Sequence, residues 1–254
     1  MMSSLSFHWY GFLVGLGIVA GISSAEWMIK KLPPKMVKQL SDFSLACIWM
    51  VIFGVFGARM YHVWTDWSSY ATVPWYTIFA IWNGGLGIWG AVVGGCVGLL
   101  LFLCAKKKLR REIIFSYVDL IGFGLPIGQA IGRWGNFVNG ELYGKVTSLL
   151  WGISVNGSVE KYHPLFLYES VLLFLTWFLL LFSVQKKYID VGRGKIFGLY
   201  LIAYGLIRFL LEYLRISPAM LGSLATAQWV SVLAVGVGVF VCRTAYNNKA
   251  HGQE

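Results

Sequence analysis

Charge is what this chain has least of. Only 13% of its 254 residues are Asp, Glu, Lys or Arg, whereas 57% are hydrophobic and the mean hydropathy is +0.67. That leaves too little polar surface to coat a soluble globule, and a polytopic membrane protein is the expectation. Net charge is +10, yet the basic residues cluster between apolar runs instead of lining one face among aromatics, so they report membrane topology and not a nucleic-acid partner. Cysteine is sparse too: Cys47, Cys96, Cys104 and Cys242 lie in or at the ends of apolar segments without CxxC spacing. The histidines are scattered, with no HxxxH or HExxH pair, so neither a metal nor another cofactor is expected. No Pro/Ser-rich linker interrupts the chain, which reads as one integral membrane domain over residues 1–254. There is no repeat of fixed period, against an inverted-repeat transporter or a solenoid. Asp119 is the only aspartate within an apolar run, too few for metal-dependent transfer from a CDP-activated lipid. Met1 to Tyr10 contains no Lys or Arg; the first apolar run therefore lacks the basic leader of a signal peptide and is expected to stay as a span.

What is there is a series of apolar runs long enough to cross a bilayer, which takes roughly 20 residues each. Seven are expected, at about 9–28, 43–63, 84–105, 113–133, 164–183, 196–214 and 225–243. Lys30, Lys31, Lys35 and Lys38 follow the first, Lys106, Lys107, Lys108, Arg110 and Arg111 the third, Lys186, Lys187, Arg193 and Lys195 the fifth, and Arg243 and Lys249 the seventh. The opposite loops hold only Lys145, Lys161 and Arg215. By the positive-inside rule the N-terminus is outside and the C-terminus cytoplasmic. Gly90-Gly94-Gly98 and Gly124-Gly128-Gly132 form helical stripes of small residues, read as helix packing. Residues 134–163 read as a small β-rich extracytoplasmic cap with an Asn156-Gly157 turn.

On this topology the unusual polar residues collect at one depth. Tyr10, Arg59, His62, Asn83, Arg133, Asn136, His163, Glu169, Arg208 and Glu212 all fall near the outer ends of their spans. Polar groups are costly at the edge of a bilayer unless they meet one another or a ligand, and a shared polar cavity accounts for them more simply than separate accidents. Arg208 and Glu212 also stand four apart on one helix face, where they can pair with each other. Arg59 has two open readings, a ligand-binding cation or one that pairs with carbonyls or snorkels. The densest grouping is Gly132-Arg133-Trp134-Gly135-Asn136-Phe137-Val138-Asn139-Gly140-Glu141-Leu142-Tyr143-Gly144. Its glycines let the backbone approach a head group closely. Arginines outnumbering carboxylates at one membrane level favour an anion, and lipid phosphate is the anion at hand.

That segment is similar throughout to the signature G-R-x-G-N-F-x-N-x-E-x-x-G, and with it the chain resembles the prolipoprotein diacylglyceryl transferase family over nearly its whole length. His8-Trp9-Tyr10-Gly11, Gly57-Ala58-Arg59, His163-Pro164, Leu167-Tyr168-Glu169-Ser170, Tyr204-Gly205, Arg208-Phe209 with Glu212, and Gln228 with Ser231 carry the resemblance further. One departure is Trp89, where many members have a histidine; a mechanism that uses that histidine as base cannot apply here.

The resemblance implies an enzyme of the bacterial inner membrane, with its active site facing the outer leaflet. It would move the diacylglyceryl group of phosphatidylglycerol to the lipobox cysteine in a preprolipoprotein signal peptide, releasing glycerol phosphate. It further implies Arg133, Arg208, Glu141, Asn136 and Glu212 as catalytic residues. Arg133, Asn136, Asn139, Tyr10, Arg59, Tyr204 and Arg208 would bind substrate. In this reading Glu141 and Glu212 position the arginines or take a proton. The alternative is a membrane transporter or binder that holds anionic lipid or phosphate without reaction. The topology is testable directly: a cysteine introduced between Lys106 and Arg111 is expected to react with an impermeant maleimide only from the cytoplasm, and one at Gly157 only from outside. The reverse labelling would overturn the orientation.

Overall fold

The computed structural model describes residues 9–155 and 157–250, so His8 and the Asn156 of the expected turn lie outside the described residues. Helices account for most of it. In chain order they are α1 Trp9–Ile29, α2 Pro34–Gln39, α3 Phe43–Thr65, α4 Trp67–Tyr70, α5 Ile88–Ala105, α6 Arg111–Val138, α7 Leu165–Gln185, α8 Lys195–Glu212 and α9 Thr226–Ala250. Two 3-10 turns, Trp75–Phe79 and Ile81–Asn83, precede α5. Six helical stretches are long and apolar enough to cross a membrane, as expected where every backbone N–H and C=O must be satisfied within its own segment. The remaining expected run, 196–214, forms helix α8, but Lys195, Arg208 and Glu212 fall within its 18 residues and it does not count as a span by composition. A multi-pass membrane protein accounts for these helices.

The chain forms two compact units, Leu32–Ile114 and the remainder. In the first, α3 and α5 pack through glycine. A Cβ on Gly98 would lie 2.7 Å from the carbonyl oxygen of Trp49, and one on Gly57 would overlap that of Gly90. Lys108 Nζ donates to the Gln39 carbonyl at 2.7 Å and reaches Asp42 Oδ1 at 2.5 Å, closing the turn after α5 onto the segment before α3.

In the other unit α1 and α6 meet the same way. A Cβ on Gly124 would stand 2.5 Å from the Gly21 carbonyl oxygen, and one on Gly128 2.8 Å from that of Gly17. The packing role read for Gly124 and Gly128 therefore holds, whereas Gly132 faces open space. Trp177 on α7 donates its indole N–H to Ser24 Oγ at 2.8 Å and so joins α7 to α1. α8 is held from α6 by Asp119. Its fully buried carboxylate accepts the backbone N–H groups of Gly192 (2.9 Å), Arg193 (3.1 Å), Gly194 (2.9 Å), Ile196 (3.0 Å) and Phe197 (3.1 Å). These include orphan donors of the first turn of α8, the positive end of its dipole.

Residues 134–163 differ in part from the expected cap. α6 continues to Val138, so the arginine and first asparagine of the signature are helical. Beyond it, β1 Ile153–Ser154 pairs antiparallel with β2 Lys161–Tyr162. Isolated bridges Val146↔Tyr162 and Gly144↔Arg215 extend the pairing to the chain that leaves α8. A second hairpin, β3 Met220–Leu221 with β4 Leu224–Ala225, turns at Gly222, whose φ of +66° suits a two-residue loop; it immediately precedes the run read as the last span and overlaps it only at Ala225.

If close backbone approach holds α1 to α6, Gly128→Ile is expected to destabilise the protein by about 2 kcal/mol through overpacking. Gly236→Ala, at a site with nothing within 4 Å, is expected to be neutral or slightly stabilising. Thermal unfolding in detergent compares them; equal melting temperatures would exclude the packing role.

Candidate functional site

The site grows from the outlet of α6. Its floor is apolar: Ala130, Leu173 and Ile207 form a buried cluster with Tyr204 and Leu211 packed against it, one contribution each from α6 and α7 and the rest from α8. Next to it stand Arg133 on α6, three residues after Ala130, Glu169 on α7, four residues before Leu173, and Arg208 on α8, adjacent to Ile207. Glu169 is 1% exposed. One of its oxygens, Oε2, pairs with Arg133 Nε, and the other, Oε1, with Arg208 Nη1. Arg208 Nη2 donates to Glu212 Oε2 at 3.0 Å. A buried carboxylate is costly unless fully paired, and here each oxygen has its own guanidinium.

Hydrogen bonds and rings set this arrangement. Ser170 Oγ donates to the Ala130 carbonyl at 2.9 Å and receives the Trp134 indole N–H at 3.2 Å, locking α7 to α6 next to both charges. Phe137 stacks on Phe166 with centroids 4.6 Å apart. Tyr204, one turn before Arg208, stacks on Tyr200 at 5.9 Å. The α1 contribution is Tyr10, whose ring would stand 3.0 Å from a Cβ on Gly135. The signature needs a glycine there because the tyrosine lies against its backbone.

Past Arg133 the signature folds back on itself. The Glu141 N–H donates to the Asn136 carbonyl at 2.8 Å. The side-chain amides of Asn136 and Asn139 approach the two Glu141 oxygens at 3.3 and 3.4 Å. Glu141 thus holds the asparagines; the carboxylate that holds the arginines is Glu169, with Glu212 as the second partner of Arg208. Tyr168 Oη receives the Trp151 indole N–H at 2.8 Å and lies 3.2 Å from His163 Nδ1, fastening the segment between α6 and α7 to the first turn of α7.

Arg59 belongs to the other unit and is differently employed. It is 4% exposed, and its guanidinium donates to the carbonyls of Ile78 (2.6 Å), Gly84 (2.7 Å), Gly85 (3.2 Å) and Thr77 (2.7 Å), with Tyr70 at 5.2 Å beneath it. This is the carbonyl-pairing reading, with four of its five donors spent on the loop. Trp89 is 48% exposed in the first turn of α5.

Arg133, Arg208, Glu212 and Tyr204 thus come together as expected, and Asn136, Asn139 and Glu141 form one adjoining cluster. Glu169 was visible as a polar residue at this level without a role. A lone carboxylate one turn into an apolar helix needs a cation, and that signal marks it. Among the described residues the terminal nitrogens of Arg133 donate no hydrogen bond, so that side of its guanidinium is free to meet an anion. Glu169→Ala, which strands two guanidiniums, is expected to cost about 3 kcal/mol in detergent melting; an unchanged melting temperature would contradict the pairing.

Comparison with known proteins identifies the family. A profile of the prolipoprotein diacylglyceryl transferase family matches residues 1–244. The chain is 36% identical over 248 residues to a phosphatidylglycerol–prolipoprotein diacylglyceryl transferase from Trichormus variabilis, covering 92% of this chain and 84% of that one. It is 36% identical over 241 residues to a protein of the same name from Gloeobacter violaceus, at 91% and 86% coverage. For another from Finegoldia magna the identity is 35% over 237 residues, at 92% and 89%. The chain belongs to the prolipoprotein diacylglyceryl transferase family.

Proposed function

We propose that this chain transfers the diacylglyceryl group of phosphatidylglycerol to the lipobox cysteine of a preprolipoprotein, leaving a thioether and releasing glycerol phosphate. The observation that carries this reading is the pair of arginines held by one buried carboxylate, with donors of Arg133 left over for a phosphate. The sulfur bonds to the glycerol carbon as the carbon–oxygen bond to phosphate breaks, and the electron pair leaves on the phosphate oxygen. Arg133 and Arg208 are preorganised towards that developing charge, which costs no reorganisation at the moment of reaction. Glu169 and Glu212 hold their guanidiniums in place, Asn136 and Asn139 orient the head group from the Glu141 clasp, and Tyr10 and Tyr204 line the approach. A thiol with an ordinary pKa of about 8.5 must ionise to attack. With Trp89 in place of a histidine, the arginine field favours the thiolate, and Glu141 or water takes the proton.

The setting we propose is a bacterial inner membrane, with seven spans including α8, the N-terminus outside, the cap between α6 and α7 extracytoplasmic, and the site at the outer leaflet. The whole chain acts as one integral domain. Length and hydropathy of the helices and the distribution of Lys and Arg support it. The charge of α8 is no obstacle, because Arg208 and Glu212 are paired in the protein interior.

The test uses purified protein, phosphatidylglycerol vesicles and a lipobox peptide, scored by mass gain at the cysteine. Wild type is expected to add the diacylglyceryl group, and Arg133→Lys to lose on the order of 10²-fold in turnover with folding intact, since an ammonium cannot present the same fork of donors. Near wild-type turnover would remove the phosphate role of Arg133. Folded wild type without transfer would favour non-reactive binding of anionic lipid.

A further inference from the structure

The salt-bridge cluster does not end at Glu212. Arg215, three residues on, places Nη1 3.6 Å from Glu212 Oε2, the same oxygen that already accepts Arg208 at 3.0 Å. Charges therefore alternate along the chain of contacts, Arg133, Glu169, Arg208, Glu212, Arg215, and the last is the most exposed. Three guanidiniums share two carboxylates, so one positive charge is uncompensated. Exposure shows where it resides. The Arg208 side chain is 14% exposed and paired with both carboxylates, and the Glu212 side chain is 3% exposed. The Arg215 side chain is 44% exposed, and among the described residues its guanidinium donates no hydrogen bond.

Its backbone, by contrast, is held from two directions. The Arg215 N–H donates to the Glu212 carbonyl at 3.1 Å, closing the turn after α8, and Lys145 N–H donates to the Leu214 carbonyl at 2.8 Å. Gly144, the last residue of the signature, bridges to Arg215. A Cβ there would stand 2.6 Å from the Leu214 carbonyl oxygen. A cationic head with free donors on a backbone fixed at the mouth of an anion site is the arrangement a phosphate-binding residue needs.

We infer that Arg215 is a third phosphate-binding arginine of this site, receiving a glycerol-linked phosphate at its rim. This rests on the transferase reading, which also supplies a reason for a third cation. The phosphodiester of the lipid carries one negative charge, whereas the monoester that leaves carries about −1.5 to −2 at neutral pH, as other phosphate monoesters do. The product is thus held more tightly by the inner arginines than the substrate head group was, and an exposed, under-neutralised guanidinium gives it a place to move outwards. The same chemistry serves an arriving phosphatidylglycerol head group, and the experiment separates the two sources.

Full-length wild type, Arg215→Gln and Arg215→Lys are compared in two arms. In the first, glycerol phosphate is titrated calorimetrically into each protein and used as product inhibitor of transfer. In the second, KM and kcat are measured with phosphatidylglycerol in vesicles. For a product site, Arg215→Gln is expected to weaken glycerol phosphate binding and inhibition about tenfold, with Arg215→Lys intermediate and KM little changed. A rise in KM with unchanged glycerol phosphate binding identifies the lipid head group as occupant. Unchanged values in both arms, with melting temperatures equal to wild type, overturn the inference; should the Gln variant unfold, the Lys variant decides in the same two arms. If wild type binds glycerol phosphate through Arg215 but modifies no peptide, the transferase reading fails while this inference stands. If wild type modifies peptide and Arg215→Gln matches it in both arms, the reverse holds.

Discussion

Burying a carboxylate is tolerable only if cations pair with it, and in this protein Glu169 is paired with arginines from two other helices. The rest of the site depends on that requirement. Because each oxygen takes one guanidinium, α6, α7 and α8 cannot slide or rotate past one another without stranding a charge in low dielectric. The cost of burying Glu169 becomes the precision with which Arg133 and Arg208 are presented. Arginine suits this because a planar fork can spend one edge on a carboxylate and keep another for an incoming anion.

A second buried carboxylate does a matching task at the opposite end of the same helices. Asp119 gathers the N–H groups at the start of α8, while Glu169 links Arg133 on α6 to Arg208 on α8. At 1.5 Å per residue, the stretch from Asp119 to Arg133 and that from Lys195 to Arg208 each rise roughly 20 Å. The two ties are therefore in register, and α6 and α8 run in the same direction with their length set at both ends. Hydrocarbon alone gives helices little reason to prefer one register. These polar ties and the glycine contacts of α1 with α6 supply it.

The signature divides along the same lines. Arg133, Gly135 and Asn136 lie on the last turn of α6, Asn139 and Glu141 on the loop that folds back, and Gly144 on the strand bridge to Arg215. Its glycines are used for approach: Gly135 admits the Tyr10 ring and Gly144 admits the Leu214 backbone. A motif that looks in sequence like a ligand loop is thus partly a joint between α6, the segment that follows it and the end of α8.

The sequence by itself determined the helical class, helix positions to within a few residues, the concentration of polar side chains near one end of their helices, and the grouping of Arg133, Asn136, Asn139 and Glu141. Hydropathy and spacing are local properties, and so is a contiguous signature. What only the tertiary structure decided is which carboxylate meets which cation. Glu169 and Arg133 are 36 residues apart, and no periodicity relates them. Arg59 had two chemically equal readings until the carbonyls of Thr77, Ile78, Gly84 and Gly85 were brought around it. Arg215 read only as one of three basic residues in the outer loops. Its place at the end of the charge ladder follows from the turn after α8 and from Gly144, because pairing in a folded chain is set by distance in space, and these distances exist only once the helices have packed.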